Sequence, residues 1–254
     1  MKILGVIPAR YASTRYPGKP LVEINGKSMI QRVFEQAIQC DQLEKVVVAT
    51  DSQAIFDHVL RFGGNPLMTG EHHTSGTERC CEAAEKLRAV GEIYDYVINI
   101  QGDEPFIDPS QIKQVADCIK CDPGIQLATL IKRISSQDEL VSPNVVKVVV
   151  DIHGYAMLFS RSVIPYTRGF DQQTWLTEMT FYKHVGIYGY QTSVLEQIVT
   201  LPVSLLERAE SLEQLRWLEN SYKIKTQITE YDSIAIDTPA DLLKITNSSG
   251  TFIQ

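Results

Sequence analysis

The sequence predicts an α/β fold in which a mostly parallel sheet is covered by helices on both faces and is followed by an antiparallel segment. In the first half of the chain, short apolar runs alternate with segments of helical periodicity, and this alternation is typical of a parallel sheet. After about Ser135 the apolar runs are joined by loops instead, which indicates antiparallel strands. With 254 residues, the chain is long enough for one large domain that carries an insertion.

The strands and helices of the first half follow from length and periodicity. Short apolar runs bounded by polar residues are interpreted as buried strands. The segment after Ser28 places Met29, Val33 and Ala37 on one helical face, and Gly63-Gly64 ends the next helix. The predicted strands are Ile3–Ile7, Val46–Thr50, Tyr96–Ile100 and Gln126–Lys132, and the predicted helices are Met29–Cys40, Gln53–Phe62, Thr74–Val90 and Pro109–Lys120.

After the change of pattern, we expect the strands Val145–Val150, Tyr155–Ser160 and Val185–Tyr190 to be joined by loops, without intervening helices. The turn residues of Asp151–Gly154 predict a hairpin, and Asp237-Thr238-Pro239 is a typical helix start. We expect a single domain over residues 1–246, with residues 135–192 as an antiparallel insertion and residues 247–254 as a tail. The predicted strands are Val145–Val150, Tyr155–Ser160, Val185–Tyr190 and Lys225–Thr229, and the predicted helices are Ser193–Thr200, Leu205–Ser221 and Pro239–Thr246.

Composition excludes several classes of protein. The formal net charge of −7 at pH 7 argues against a general nucleic-acid-binding protein. No apolar stretch approaches the ~20 residues that a membrane span needs, so we expect no membrane insertion. The N-terminal segment lacks the long apolar region of a secretory signal. We therefore expect a cytoplasmic protein.

The five cysteines predict reduced thiols, because an odd count without a signal peptide argues against a disulfide framework. Cys118 and Cys121 have the CxxC spacing of redox and zinc sites. They stand near the end of a predicted helix, where the helix dipole disfavours a thiolate. We therefore favour their interpretation as ordinary, partly buried thiols.

A cationic loop follows the first predicted strand. Residues 1–22 contain Lys2, Arg10, Arg15 and Lys19 and no carboxylate, although the protein as a whole is acidic. Backbone N–H groups and fixed cations in such a loop can replace the water around a polyanion, so the loop predicts a phosphate site. Neither the GxGxxG fingerprint nor the Walker A spacing occurs here, which argues against a dehydrogenase and a P-loop enzyme.

Two carboxylates follow apolar runs at positions that suit a metal ion. Asp103 comes after the third core strand, and ligands of open parallel sheets bind at the carboxyl ends of the strands. A carboxylate that faces a phosphate site is repelled unless a divalent cation lies between them, and Mg²⁺ is usually held by one or two carboxylates together with substrate phosphates. Asp237 is the second candidate. The alternatives are a turn for Asp103 and a helix N-cap for Asp237.

Two pairs of polar residues in the second half are further candidates for a ligand site. His184 and Tyr188 lie four residues apart, a spacing that points both side chains to the same face of a strand. The alternative is a core histidine. Glu213 and Gln214 fall in a predicted amphipathic helix, where an exposed helix surface is the interpretation that the sequence favours.

Taken together, these segments resemble the 3-deoxy-manno-octulosonate (Kdo) cytidylyltransferase family, also called CMP-Kdo synthetases. The first match is the loop from Ile7 to Leu21, IPARYASTRYPGKPL. The motifs recur in family order over nearly the whole chain, and the main departures are Pro165–Tyr182 and the tail after Ile245. The further matching segments are Ala49–Asp51, Ser75–Arg79, Asn99–Pro105, Pro143–Lys147, His184–Tyr190, Leu212–Arg216 and Asp237–Pro239.

The resemblance implies a Rossmann-like nucleotide-diphospho-sugar transferase fold, in which the insertion at 135–192 serves sugar binding and dimerisation. It implies that CTP and Kdo react to give CMP-Kdo and pyrophosphate, with Mg²⁺ as the cofactor. This reaction activates Kdo for lipopolysaccharide biosynthesis. The implied partners are therefore the substrates CTP and Kdo, and the implied assembly is a homodimer.

The resemblance also implies a role for each matching site residue. The C2 hydroxyl of the sugar attacks the α-phosphorus, so no protein nucleophile is needed. The implied catalytic residues are Arg10, Lys19, Asp103 and Asp237. The implied ligands of the substrates and the metal are Arg10, Ser13, Arg15 and Lys19 for the triphosphate, Gln101 for the cytidine and sugar, Asp103 and Asp237 for the metal, and Arg79, His184, Tyr188, Glu213 and Gln214 for the sugar.

Two alternatives to this activity stay open. The first is the same reaction on another acidic sugar such as sialic acid, but that family carries a Gly-Gly-Ser-Lys-type run where this chain has Tyr11-Ala12-Ser13-Thr14. The second is a catalytically silent protein that binds sugar nucleotides. Such a protein would be expected to lack Lys19 or a metal carboxylate, and all of them are present.

Overall fold

Residues 1–12, 16–232, 235–236 and 238–242 are described by the computed structural model of the chain. Among the described residues, those up to 113 and those from 235 onward form one unit, and residues 114–232 form another. The site candidates Ser13, Arg15 and Asp237 lie outside the described residues, as does the predicted tail 247–254. The single domain over residues 1–246 stays a prediction. None of the helices in the described ranges is long and apolar enough to cross a membrane.

A four-stranded parallel sheet organises the first unit, with the order β6-β1-β4-β5. Val6 of the central strand pairs with Val47 on one side and with Asn99 on the other. The short strand β5 was not predicted from the sequence. The elements of this unit are β1 (Ile3–Ala9), β2 (Glu23–Ile24), β3 (Lys27–Ser28), α1 (Met29–Ala37), β4 (Lys45–Thr50), α2 (Gln53–Arg61), β5 (Pro66–Met68), α3 (Gly76–Ala89) and β6 (Tyr96–Asn99).

Local sequence accounts for the elements that surround this sheet. Consecutive residues of β1 are buried, as expected for a strand that is covered on both faces. Ser28 caps α1, since its hydroxyl accepts a hydrogen bond from the backbone N–H of Gln31 at 3.2 Å. Ser75 and Glu78 form a reciprocal capping box at the start of α3. These caps set the ends of the helices that follow the strands.

Helix α4 (Pro109–Cys121) contains the boundary between the two units, and the second unit adds the antiparallel strands. In the second unit, strand β7 pairs in parallel with β11 and antiparallel with β10. Strand β8 pairs antiparallel with both β10 and β9. The predicted mixed α/β class, mostly parallel with a small antiparallel part, is confirmed. The further elements are β7 (Leu127–Arg133), α5 (Gln137–Val141), β8 (Lys147–Val150), β9 (Ala156–Ser160), α6 (Trp175–Glu178), β10 (Tyr182–Gln191), α7 (Thr192–Ile198), α8 (Leu205–Glu210), α9 (Glu213–Glu219) and β11 (Ile224–Ile228).

The predicted hairpin of the antiparallel part is confirmed. Strands β8 and β9 are joined through Asp151–Gly154, where the Asp151 carboxylate accepts the backbone N–H groups of His153 and Tyr155, each at 2.8 Å. Gly154 has a φ of 75°, which glycine adopts without steric cost. An aspartate at the first position and a glycine at the last therefore close this turn.

The predicted helix Leu205–Ser221 is wrong, because two helices occupy this segment. Ser211 adopts the left-handed conformation with a φ of 53°, which ends α8. The extended residue Leu212 follows and buries its side chain. The apolar periodicity runs on across this break, so the sequence pattern alone does not reveal it.

The expectation that no helix lies between the strands of the insertion is also wrong. The short helix α6 lies between β9 and β10. Its Trp175 is buried, stacks on Phe181 with ring centroids 6.2 Å apart, and packs with Ile134 and Leu140. Burial of one large aromatic ring stabilises this turn of helix, which is too short to give a periodic signal.

Lys147 is a fully buried lysine at the start of β8. Its Nζ donates hydrogen bonds to the backbone carbonyls of Ser142 at 2.8 Å and Val145 at 2.6 Å, and also to that of Arg161. Burial lowers the pKa of Lys147 below its ordinary value. The three carbonyls satisfy the three N–H groups of the ammonium, so this side chain fastens two backbone segments together.

Candidate active site

A cavity of about 290 Å³ lies in the first unit, where the cationic loop meets the ends of strands. Arg10 directly follows β1, and Gln101 and Asp103 follow β6. Because the two strands are parallel, their carboxyl ends open at the same edge of the sheet. The lining residues are Pro8, Ala9, Arg10, Lys19, Pro20, His73, Thr74, Ser75, Gly76, Arg79, Gln101, Gly102 and Asp103.

Lys19 and Asp103 form a direct ion pair in this cavity. The lysine Nζ donates to Oδ2 of Asp103 at 2.8 Å, and the lysine side chain is only 13% exposed. Arg10 is exposed and lies in the same lining. The predicted proximity of the cationic loop and the first metal candidate is therefore observed for the described residues of the loop.

Gly102 allows the two loops to approach each other closely. A Cβ atom built on this residue would lie 2.6 Å from the backbone oxygen of Pro8, which is closer than a carbon and an oxygen can pack. Glycine thus permits the segment with Gln101 and Asp103 to lie directly against the end of β1.

The N-terminus of α3 contributes to the wall of the same cavity. Thr74, Ser75 and Gly76 line it, and Glu78 accepts the backbone N–H of Thr74 at 2.6 Å. The first turn of a helix presents partial positive charge and N–H donors. Here the Glu78 carboxylate and the Ser75 hydroxyl already accept several of these N–H groups, so the positive charge of the cavity comes from the lysine and the arginine.

His73 is a cavity residue to which sequence reasoning assigned no role. Its Nε2 contacts Oε2 of Glu82. Burial raises the pKa of Glu82, but hydrogen bonds from Lys86, Gly70 and His73 outweigh it and lower the pKa to about 2. The glutamate is therefore ionised at neutral pH and holds the imidazole against the wall.

Arg79 lines the cavity but is also bound within the protein. It is 3% exposed, and its Nη2 donates to Oδ2 of Asp51 at 2.7 Å. Its Nη1 donates to Oγ1 of Thr69 at 2.5 Å. The sequence did not reveal these two partners, because they stand far from Arg79 along the chain. The sugar-binding role of Arg79 stays a prediction.

His184 and Tyr188 lie side by side in the second unit. Their ring centroids are 5.1 Å apart, whereas residues four apart on a regular strand are about 13 Å apart. The register of β10 against β7 shifts between Val185 and Tyr188, so the strand bulges and shortens the distance. The two rings therefore share one face, as predicted.

Both rings stay uncharged at neutral pH. Burial lowers the pKa of His184 to about 4. Burial, followed by the neighbouring Tyr190 and Glu213, raises the pKa of Tyr188 well above its ordinary value. The pair therefore presents a neutral imidazole and a protonated phenol, which suits hydrogen bonding to a polar ligand.

The expectation of an exposed surface at Glu213-Gln214 is wrong for Gln214, which is only 6% exposed. Glu213 is partly buried, and its Oε1 accepts a hydrogen bond from Nη2 of Arg216 at 2.8 Å. The break at Ser211 starts α9 afresh and turns this part of the chain inward. The resemblance placed both residues at the sugar, and those roles stay predictions.

Trp217 was missed by the sequence analysis. Its ring packs edge-on against Tyr188 with centroids 5.1 Å apart. Within the described ranges, the Tyr188 hydroxyl and the indole Nε1 of Trp217 are buried without a hydrogen-bond partner. A buried donor without a partner lowers the stability of the folded protein. This aromatic cluster is therefore suited to binding a water molecule or a ligand with acceptor oxygens.

Cys118 of the CxxC pair has the features of an inert thiol, whereas Cys121 is exposed. Burial, and next the neighbouring Cys121, raises the pKa of Cys118 to about 11. The Cys121 thiol donates to the backbone oxygen of Cys118 at 2.9 Å. The described part of the chain contains no group of three or more His, Cys, Asp or Glu side chains that could hold a metal.

Comparison with known proteins decides the family. The model of the family described as cytidylyltransferase matches residues 4–224. The 3-deoxy-manno-octulosonate cytidylyltransferase of Parabacteroides distasonis is 55% identical over 248 residues, which cover 96% of each chain. This chain belongs to the 3-deoxy-manno-octulosonate cytidylyltransferase family. A second member, from Cytophaga hutchinsonii, is 50% identical over 98% of each chain.

A solved structure agrees with this membership of the 3-deoxy-manno-octulosonate cytidylyltransferase family. It is described as CMP:2-keto-3-deoxy-manno-octonic acid synthetase complexed with CTP. It aligns over the full length of both chains with a TM-score of 0.91 and 41% identity. The resemblance inferred from the motifs is therefore confirmed by sequence and by fold.

Proposed function

We propose that this chain transfers CMP from CTP to the C2 hydroxyl of Kdo and releases pyrophosphate. The observation that carries the proposal is the ion pair of Lys19 and Asp103 in a cavity that Arg10 also lines. Cations for a polyphosphate and a carboxylate for a divalent cation thus stand together at the edge of the sheet. Membership of the cytidylyltransferase family supports the choice of CTP and Kdo.

The chemistry asks the protein to position charge rather than to supply a nucleophile. The C2 oxygen of the sugar forms a bond to the α-phosphorus, and the bond from that phosphorus to the oxygen that bridges it to the β-phosphorus breaks. The hydroxyl proton is released to solvent. Negative charge develops on the departing pyrophosphate. We assign Lys19 and Arg10 to neutralise it, together with Ser13 and Arg15, which lie outside the described residues.

The cavity fits a magnesium ion by its donor chemistry. Asp103 offers hard carboxylate oxygens beside the groups assigned to the phosphates. The backbone N–H of Ile236 donates to the backbone oxygen of Asp103 at 2.9 Å, and Ile236 directly precedes Asp237. We propose Asp103 and Asp237 as the metal ligands. Mg²⁺ bound there would lower the pKa of the attacking hydroxyl and neutralise phosphate charge.

We assign the acceptor sugar to the polar side chains that the resemblance to the family names for it. Gln101 and Arg79 belong to the first unit, and Arg79 reaches the cavity with a guanidinium that Asp51 holds in place. The further assigned residues are His184, Tyr188, Glu213 and Gln214. A neutral imidazole, a phenol, a carboxylate and an amide together offer donors and acceptors for several hydroxyl groups.

Pyrophosphate release from CTP tests this function. The assay is run with Kdo and with sialic acid in parallel, each with Mg²⁺ and with Mg²⁺ plus excess EDTA. We expect metal-dependent release with Kdo alone. Release with sialic acid instead would overturn the sugar assignment and keep the phosphate site. CTP binding without release with either sugar would identify the silent-binder alternative.

We propose further that the chain acts in the cytoplasm as a homodimer, in the activation of Kdo for lipopolysaccharide biosynthesis. Support for the dimer comes from β9, whose Met157 is 63% exposed and which pairs with β8 alone among the described strands. A second subunit is one way to cover an open strand edge with exposed apolar side chains. Light scattering of the protein as it elutes from a size-exclusion column measures its mass and tests the dimer. A monomeric mass at assay concentration would overturn the dimer.

A further inference from the structure

Thr129 lies on β7 opposite the bulge of β10. The residue is fully buried, and it pairs with Tyr188, whereas the preceding pair joins Leu130 to Val185. Two residues of β10, Gly186 and Ile187, therefore have no ladder partner on β7. Backbone groups in such a bulge need other hydrogen-bond partners.

The Thr129 hydroxyl supplies one of these partners. Its Oγ1 lies 2.7 Å from the backbone oxygen of Ile187 and 3.0 Å from Nε2 of His184. The backbone oxygen of Val185 lies 3.3 Å from the same Oγ1. A carbonyl oxygen only accepts hydrogen bonds, so the single hydroxyl hydrogen is directed to these carbonyls, of which Ile187 is the nearer. The same oxygen can then only accept from His184. Nε2 of His184 consequently carries a hydrogen.

This network determines whether the second ring nitrogen, Nδ1, is a hydrogen-bond donor or an acceptor. A neutral imidazole that carries hydrogen on Nε2 has a lone pair on Nδ1. Within the part of the chain that the structure describes, His184 makes no hydrogen bond through Nδ1. The rings around His184 are those of Phe159, in an edge-on contact at 5.4 Å, and Tyr188. Nδ1 is thus an acceptor in largely aromatic surroundings.

We propose that Thr129 is a positioning residue that locks His184 in the Nε2–H tautomer, so that Nδ1 accepts a hydrogen bond from a hydroxyl group of the sugar. The inference rests on the proposed function, because it concerns how the same substrate is recognised. A carboxylate cannot donate a hydrogen bond to Nδ1, so the ring binds a hydroxyl group of the sugar and not its acid group. Burial keeps the ring neutral, since it lowers the pKa of His184 to about 4.

The chain contains a matched control for Thr129. Thr226 on β11 is its direct register partner, is also buried, and donates its hydroxyl to the backbone oxygen of Gly154 at 2.9 Å. It makes no hydrogen bond to His184 among the described residues. Thr129→Val and Thr226→Val therefore remove the same group from neighbouring strands, and Thr129→Ser keeps the hydroxyl.

The first readout is the tautomer itself, measured without substrate. Proton–nitrogen correlation spectra of protein with nitrogen-15-labelled histidine distinguish the two tautomers, and His184→Gln identifies the signal. We expect the Nε2–H form in the wild type, in Thr129→Ser and in Thr226→Val, and a mixture in Thr129→Val. An Nδ1–H ring in the wild type, or an unchanged ring in a folded Thr129→Val protein, would overturn the proposal.

The second readout is the kinetic effect on each substrate. Loss of the orienting hydrogen bond in Thr129→Val should raise the KM for Kdo about 10-fold, with the KM for CTP unchanged. Thr129→Ser should restore it, and Thr226→Val should leave it near the wild-type value. Equal effects of the two valine substitutions would overturn the positioning role. If Kdo is not a substrate at all, the proposed function fails, while the spectra still decide the tautomer.

If Thr129→Val does not fold, the wild-type and Thr129→Ser spectra still decide the outcome. The Nε2–H form in both proteins supports the assignment, because both hydroxyls can accept from the ring. The Nδ1–H form in the wild type contradicts it whatever the valine variant does.

Discussion

The Nζ atom of Lys19 lies 2.8 Å from Oδ2 of Asp103, although the two residues belong to loops that follow different strands. The pair joins the cationic loop to the carboxylate assigned to the metal. The two charges are therefore already paired with each other before any nucleotide enters the cavity. A change at either residue should disturb the charges that the phosphates meet, while the fold stays intact.

Asp103→Asn should lower the turnover number at least about 100-fold, because the amide cannot replace a charged oxygen ligand of a divalent cation. CTP affinity should change less, since Arg10 and Lys19 remain. Pyrophosphate release and calorimetric CTP binding measure the two quantities. Asp57→Asn removes a charge from an exposed position of α2 and serves as the control. Near-normal turnover in Asp103→Asn would remove Asp103 as a metal ligand.

Gly102→Ala should reduce both stability and activity. The new Cβ would stand 2.6 Å from the backbone oxygen of Pro8, so the two loops must separate at a cost of about 1–3 kcal/mol. Gly26→Ala is the comparison. Gly26 has a φ of 77° and no atom within 4 Å of a built Cβ, so strain alone should lower its melting temperature. Equal turnover in the two variants would contradict the role of close approach in the site.

Lys147→Met should lower the free energy of unfolding by about 3 kcal/mol or more, because three partly buried backbone carbonyls lose their donor. Urea denaturation followed by fluorescence measures the change. Lys113→Met, on an exposed face of α4, should change the free energy by less than about 0.5 kcal/mol. A neutral result for Lys147→Met would mean that the carbonyls find other partners.

Acidification should cost stability through His184. Its pKa is about 4 in the folded protein and 6.5 as the ordinary value, so the unfolded chain binds the proton first as the pH falls. The stabilising contribution is complete above pH 6.5 and is lost toward pH 4, by about 1–3 kcal/mol. His184→Gln should flatten the pH dependence in this window, whereas His153→Gln, at an exposed turn position, should leave it as in the wild type. Parallel curves for wild type and His184→Gln would refute this.

The parts of the fold that depend on local signals were predictable from the sequence. The apolar run at Ile3–Ile7 predicted a buried strand, and the segment that begins at Thr74 predicted a helix. The proximity of Lys19 and Asp103 followed from a general rule about the ends of parallel strands. These inferences needed no knowledge of which distant residues touch.

The features that escaped prediction depend on contacts between distant residues. The left-handed Ser211 is set by the burial of Leu212 on a core that sequence spacing does not show. The bulge at Gly186-Ile187 arises from pairing with β7, and the role of Thr129 appears only once that pairing is known. A lone hydroxyl inside an apolar strand was the available signal, but many such threonines are merely half-buried strand residues.

The pairing of Val6 with Asn99 makes the site sensitive to chain length. Arg10 and Asp103 each stand four residues beyond this pair, so equal spacers bring both to the cavity. One residue inserted into either spacer would displace one side by ~3.3 Å, further than a hydrogen bond can stretch. In related sequences, insertions and deletions should therefore occur at turns such as Asp151–Gly154 and be absent from the two spacers.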